Sequence, residues 1–201
     1  MSVATLPLII FAKKPVPGQV KTRLIPALGV EGASALYRQL LELTLRNTGA
    51  WPGPRYLYCA PDRRDPFFAS LAAEHGLRLR DQTGSDLGER MASALADFPQ
   101  GALLIGSDCP VLTGEHLEQA ATALQQVDTA IIPSEDGGYV LIGQRQPSAA
   151  PFCAMQWSHA DVLKDTRARL QTAGLSWWEG APLWDLDEPA DLPRFEALGH
   201  G

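Results

Sequence analysis

The chain has 201 residues, 45% of them apolar and 20% charged, with 17 Lys and Arg against 23 Asp and Glu. That length carries one sizeable core, so one domain spanning residues 1–201 is expected, and no apolar run approaches the roughly 18–20 residues of a membrane span. The net charge of −6 argues against a nucleic-acid partner, which would want a broad basic face.

The three cysteines, Cys59, Cys109 and Cys153, are odd in number and contain no C-x-x-C. A disulfide framework and a structural zinc are therefore not expected. The start of the chain lacks the charged-then-apolar order of a signal peptide, so the expected location is cytoplasmic.

The first element is a short apolar run, Leu8 to Ala12, with the composition of a buried strand in a parallel sheet. The following stretch holds Lys13, Lys14, Lys21 and Arg23, while Pro15, Pro17 and Gly18 forbid a helix. The first thirty residues carry these four cations and no Asp or Glu, so the remaining 171 carry −10. A local positive pole on an acidic chain, placed at the carboxyl end of a strand, suits a small phosphate-bearing ligand. Neither familiar phosphate motif is present. Val20 rather than Gly precedes Lys21, position 13 is Lys where a P-loop needs Gly, and no G-x-G-x-x-G follows the strand. Any phosphate grip must use side chains as well as backbone.

Apolar residues at three- and four-residue spacing predict a helix over Val30 to Asn47. Pro52, Gly53 and Pro54 make a turn into a strand from Arg55 to Ala60, and a helix from Asp62 to Gly76, capped by Asp62 or Asp65, leads to a strand over Leu77 to Arg80. Thr83 and Gly84 break the chain before a helix that opens at Asp86 and runs to Phe98. Asp86 reads as its N-cap or as a ligand contact, and Arg90, one turn in, reaches a phosphate or a base.

Ala102 to Gly106 is the clearest buried strand, and Ser107-Asp108-Cys109-Pro110 follows it. A carboxylate just past a buried strand is costly unless a cation pairs with it. The next helix starts at Thr113 or Gly114, too late for Asp108 to cap it, so a divalent metal is the expected partner. After that helix, Thr129 to Pro133 and Val140 to Gly143 read as strands joined by Ser134-Glu135-Asp136-Gly137-Gly138-Tyr139. The Asp-Gly-Gly is a hairpin turn. If it also lines a cleft, its glycines allow close approach to a ligand and Asp136 is an acceptor-binding group or a base. Gln146 to Ala154 reads as a surface connection. A helix opens at Trp157 to Asp161 and ends near Ala173, with lone His159 a cap or surface group. Leu175 to Glu179 is a strand. Asp185 and Asp187 then alternate on an extended segment and share a face, so that one of them joins Asp108 at a metal or Asp187 caps the final helix, which begins at Pro189 and reaches about Leu198.

The blocks FAKKPVPGQVKTRL, DLGERM, IGSDCPVL, DGGYVLIG, QWSH and DLDEPADL span nearly the whole chain. Together they resemble the bacterial DUF2064 family of GT-A-like nucleotide-diphospho-sugar transferases, whose members are often called glycosyltransferases. The K-T-R-L block also looks like the K-S-R-L of phospholactate guanylyltransferases, and the terminal block is similar to the D-x-D-T-P-E-D-L of several nucleotidyltransferases. The resemblance implies a three-layer α/β/α sandwich with a mostly parallel sheet. It places nucleotide phosphates on Lys13, Lys21 and Arg23, a metal-binding Asp at Asp108 and its partner at Asp187. Three departures stand out. Ser107-Asp108-Cys109 replaces a full Asp-x-Asp, Trp157-Ser158-His159 replaces W-S-T, and Glu188 stands where Thr is usual.

The expected function is therefore metal-dependent transfer from an activated nucleotide. The leading form is glycosyl transfer from a nucleoside-diphosphate sugar to a small acceptor. The alternatives are nucleotidyl transfer from a triphosphate and non-catalytic nucleotide binding. Asp108, Lys21 and Asp136 are the expected catalytic groups, and Mg²⁺ or Mn²⁺ is held by Asp108 and Asp187. Lys13, Lys14, Gly18, Lys21, Arg23, Asp86 and Arg90 are expected at the nucleotide, and Gly137, Gly138, Tyr139 and Trp157 at the acceptor.

Overall fold

A computed structural model describes residues 6–157 and 159–199; Ser158 of the Trp157-Ser158-His159 block lies outside the described residues. The chain builds β1 (Leu8–Lys13), α1 (Ile25–Asn47), β2 (Arg55–Ala60), α2 (Pro66–His75), β3 (Arg78–Asp81), α3 (Leu87–Ala96) and β4 (Ala102–Ile105). It continues through α4 (Gly114–Ala123), β5 (Thr129–Pro133), β6 (Tyr139–Gln144), α5 (Val162–Thr172), β7 (Trp177–Glu179) and α6 (Leu192–Glu196). Among the described residues seven strands form one sheet in the order β3-β2-β1-β4-β6-β5-β7, and in it β6 alone runs against its neighbours.

The layers follow from the alternation of side chains along β1, where Leu8, Ile10 and Ala12 point to one face and Ile9 and Phe11 to the other. On the first face they pack with Leu41 and Leu45 of α1, Phe68 of α2 and Leu117 of α4. On the second they meet Met91 and Leu95 of α3 and Leu163 and Leu170 of α5. The result is the expected three-layer α/β/α sandwich. The chain leaves β1 toward β2 on one side, while β4 pairs with β1 on the other. The carboxyl ends of β1 and β4 therefore flank a topological switch point, where an open α/β sheet leaves a crevice.

Several boundaries differ from the sequence reading. α1 begins at Ile25, with Pro26 in its first turn, and is kinked at Gly29 (φ 70°, ψ 171°). The regular part thus starts at Val30, as the spacing predicts. β3 is Arg78–Asp81 rather than Leu77 to Arg80. The segment from Gln146 to Ala154 is more than a surface connection, because a short 3₁₀ turn at Ala150–Phe152 buries Pro151 and Phe152. Phe152 joins the cluster formed by Met91 and Leu95.

Two connections carry candidate residues to the switch point. The β5–β6 pairing closes through a turn in which the Asp136 carboxylate accepts from the Gly138 backbone N–H at 3.0 Å and from the Ser134 hydroxyl. Gly137 has φ 93°, and a Cβ there would lie 1.9 Å from the Ala160 carbonyl oxygen. Gly137→Ala is expected to destabilise the fold by at least about 2 kcal/mol, combining left-handed strain with a backbone clash. Urea denaturation checks this; an unchanged midpoint would contradict it. The second connection is the extended stretch 183–187. Leu183 N–H donates to the Pro133 carbonyl (3.0 Å), and Leu186 N–H to the Asp108 carbonyl (2.9 Å). Trp184 and Leu186 pack against Leu36 and Leu40 of α1, so the intervening Asp185 and Asp187 face the opposite way. Among the described residues no helix is long and apolar enough to cross a membrane.

Candidate active site

A cavity of about 880 Å³ opens over the carboxyl ends of β1 and β4 and the start of β6. Its floor is apolar, formed by Phe11, Leu104, Val140 and Ile142, and its rim is polar. Among the described residues five carboxylates line it: Asp86 from the start of α3, and Asp108, Asp136, Asp185 and Asp187 from the end of β4, the hairpin and the 183–187 segment. The cations Lys13, Lys21, Arg23 and Arg90 line it as well.

Lys21 is the hub of this arrangement. Its side chain is 4% exposed, and the ammonium donates to the Leu186 carbonyl at 2.6 Å, with Asp108 Oδ1 at 2.9 Å and Asp187 Oδ1 at 3.5 Å. Burial alone would depress its pKa, but the carboxylates of Asp108, Asp187 and Asp185 outweigh that and raise it, so Lys21 stays charged. It holds this position in a left-handed backbone conformation (φ 46°, ψ 45°) that disfavours any residue with a Cβ. Arg23 lies further out, 2.6 Å from Asp187 and 3.3 Å from Glu188. Asp187 does not cap the last helix. Glu188, with Asp191, caps the 3₁₀ turn Pro189–Asp191 that leads into α6, and the Asp191 carboxylate also accepts from Asp187 N–H at 3.0 Å and thereby fixes that turn.

Asp185 makes no ion pair among the described residues. Its carboxyl is pushed up to about 6, first by burial and then by the charge of Asp136, with Lys21 opposing and Asp108 adding. Between its ordinary 3.8 and about 6, the folded state holds a proton that the unfolded chain releases. Stability from this group is therefore present below that window and lost as pH rises through it. On lowering the pH from 7 to about 4.5, wild type should gain on the order of 2 kcal/mol relative to Asp185→Asn. Melting temperatures of both proteins across that range check the sign, and parallel curves would contradict it.

The sequence-predicted residues divide clearly. Lys13, Lys21, Arg23, Asp86, Arg90, Asp108, Asp136, Gly138, Tyr139, Trp157 and Asp187 all line the cavity. Lys14 instead pairs with Asp65 at 2.6 Å, at the start of α2. Gly18 and Gly137 are not in the wall, Gly137 being turned against the Ala160 backbone. Asp86 is the N-cap of α3, accepting from Glu89 N–H at 2.8 Å. Tyr139 has its hydroxyl buried, and burial raises its pKa. Trp157 lies on the first turn of α3, where a Cβ on Gly88 would approach the indole to 2.6 Å.

Two cavity residues, Tyr37 and Gln82, are not among the candidates that the sequence offers, because their roles exist only in the assembled fold. Tyr37 of α1 accepts from Lys13 N–H at 2.8 Å and from Ser107 Oγ at 3.2 Å, tying the ends of β1 and β4 together. Its phenol is pushed up to about 12, chiefly by burial. Gln82 spans β1 and β2 in the same way. Of the cavity cations, Lys21 and Arg23 are matched to carboxylates, whereas Lys13 and Arg90 have no carboxylate partner among the described residues.

A divalent ion fits this donor set in one restricted sense. The carboxylates are hard oxygen ligands, but among the described residues no three His, Cys, Asp or Glu side chains converge on one point. The ammonium of Lys21 already lies between Asp108 and Asp187. What remains suits an ion held by one or two carboxylates and completed by water and substrate phosphates, the usual way Mg²⁺ is bound.

The model of the DUF2064 family, described as an uncharacterized protein conserved in bacteria, matches residues 44–159. A Desulfovibrio desulfuricans G20 protein, provisionally named a nucleotide-diphospho-sugar transferase, is 32% identical in sequence. The match covers 94% of this chain and 84% of that one at a TM-score of 0.82. A Methanothermobacter nucleotidyl transferase shares the fold at TM-score 0.69 and 11% identity, covering 96% of this chain and 97% of that one. A 4-diphosphocytidyl-2C-methyl-D-erythritol synthase from Anaerococcus prevotii DSM 20548 does so at TM-score 0.63 and 10% identity, covering 98% and 100%. These last two likenesses are of fold alone. No curated protein matches the chain.

Proposed function

The chain belongs to the DUF2064 family, and from that premise we propose that it is a metal-dependent transferase acting on an activated nucleotide, moving a glycosyl group from a nucleoside-diphosphate sugar to a small acceptor. The observation that carries this reading is the pairing, in one cavity at the switch point, of five carboxylates with two cations, Lys13 and Arg90, that have no carboxylate partner among the described residues. A polyphosphate cannot approach that many carboxylates unless further cations intervene. Lys13 and Arg90 supply two of them, and a divalent ion is the natural third.

In this reading Asp108 and Asp185 hold the ion, since Asp187 is engaged by Arg23 and Lys21. Bound Mg²⁺ or Mn²⁺ would supply Lewis-acid stabilisation of the departing diphosphate. Lys21, 2.9 Å from Asp108 Oδ1, fixes the orientation of that carboxylate. Lys13 and Arg90 neutralise the remaining phosphate charge. Asp136 has Oδ1 tied to Ser134 and Gly138, and it takes the proton of the acceptor hydroxyl through Oδ2. Gly138 and the Trp157 side of the cavity receive the acceptor.

Nucleotidyl transfer from a triphosphate is the second reading, favoured by the K-T-R-L block that ends the basic loop. Product analysis separates the alternatives. With Mn²⁺ and a panel of nucleotide sugars and nucleoside triphosphates, glycosyl transfer releases a nucleoside diphosphate and nucleotidyl transfer releases pyrophosphate. Binding with neither product would leave a nucleotide-binding protein without catalysis.

A further inference from the structure

We infer that Gln82 reads the nucleotide base, presenting its side-chain carbonyl as an acceptor for an N–H on the base edge. The inference rests on the nucleotide reading above and specifies the residue that gives that site its base preference.

Gln82 follows β3 and lines the cavity. Its backbone N–H donates to the Cys59 carbonyl at 3.1 Å, and its side-chain Nε2 donates to the carbonyls of Ala12 (3.1 Å) and Tyr58 (2.8 Å). Two carbonyl oxygens can be faced only by the amide NH₂, so the orientation of the carboxamide is settled and both of its donors are consumed. Oε1 accepts from no described residue, and it is not among the buried partnerless atoms. Three hydrogen bonds thus hold an acceptor with no freedom to turn into a donor. A fixed acceptor discriminates where a rotatable amide would not.

Its place in the cavity suits a base rather than phosphate. Four of the five carboxylates, Asp108, Asp136, Asp185 and Asp187, lie on the β4, β5 and β6 side, whereas Gln82 bridges the ends of β1 and β2; the fifth, Asp86, is on the Gln82 side but is tied to Glu89 N–H as the N-cap of α3. Beside polar Ser85, Asp86 and Arg90, this side of the wall presents apolar Phe11, Leu87 and Met91. Phe11 and Met91 are buried, and Leu87 at the first turn of α3 is 46% exposed. A large apolar side chain left exposed in a cavity wall is suited to a flat, weakly hydrated ring face. Lys13 lies next to the Ala12 carbonyl to which Gln82 is anchored, on the route from the base to the acidic end.

The test is binding of ATP, CTP, GTP, UTP and base-free tripolyphosphate, each with Mn²⁺, by wild type and Gln82→Met. Wild type should favour one base over the weakest by about tenfold or more, the penalty for an unmet polar group. In Gln82→Met the favoured triphosphate should lose about that factor and tripolyphosphate should not. A variant that keeps the base preference, or loses tripolyphosphate equally, would overturn the inference, the latter showing a merely structural role. Equal binding of all four triphosphates by wild type would overturn the inference while leaving the nucleotide reading intact. No nucleotide binding at all would overturn both. Should Gln82→Met fail to fold, the wild type decides alone. Methylating the favoured base so that the edge N–H is lost must weaken binding about tenfold, and unchanged affinity would contradict the proposal.

Discussion

Asp108→Asn is expected to lower turnover by about 10²- to 10³-fold, the scale seen when one preorganised electrostatic contact to the developing charge is removed. The substitution keeps the shape and the backbone, including the Asp108 carbonyl that accepts from Leu186 N–H. What it removes is the charge 2.9 Å from the Lys21 ammonium and the hard ligand for the ion. Asn keeps an oxygen that accepts from the Lys21 ammonium, and Asp187 at 3.5 Å still shares its charge, so the stability cost should stay at about 1 kcal/mol. A large loss of turnover with a small loss of stability is the signature of a group that serves chemistry. Unchanged turnover would remove Asp108 from the mechanism.

Lys21→Met should have the opposite balance, with stability suffering first. The ammonium is buried, and its removal leaves Asp108, Asp187 and Asp185 facing one another with the Leu186 carbonyl unpaired. Breaking such a buried arrangement from one side costs about 3 kcal/mol or more. For a chain of this size that lowers the melting temperature by roughly 6–12 °C. Mn²⁺ without nucleotide should recover more of the lost stability in this variant than it adds to wild type, because the variant offers two carboxylates with no competing cation. A melting temperature within about 2 °C of wild type, well inside the expected shift, would show that Lys21 is not the hub described.

Much of this was legible in the residues. The βαβ order, the buried run of β4 and the hairpin at Asp136 follow from local periodicity and turn chemistry, which the assembled protein leaves intact. The basic loop was legible as a cluster but not as individual partnerships. Lys14 and Lys21 carry the same side chain, yet one reaches Asp65 on the surface and the other is buried among carboxylates from positions 108 and 187. That difference arises only when the 183–187 segment crosses the ends of β5 and β4. The period-two alternation that put Asp185 and Asp187 on one face was correct, but it could not say that Arg23 would take one of them. Tyr37 sits at an ordinary core spacing in α1, and Gln82 sits one residue past a strand. Neither carries a local signal, since each acts by bridging strand ends distant in sequence.

The most direct test of the central claim is calorimetric binding of nucleotide sugars and nucleoside triphosphates, with and without Mn²⁺, to wild type and Asp108→Asn. Binding by wild type should strengthen at least about tenfold with Mn²⁺, a coupling of about 1.4 kcal/mol between ion and nucleotide, and the variant should lose that enhancement. Equal affinity with and without the ion, or an enhancement that survives in Asp108→Asn, would contradict it.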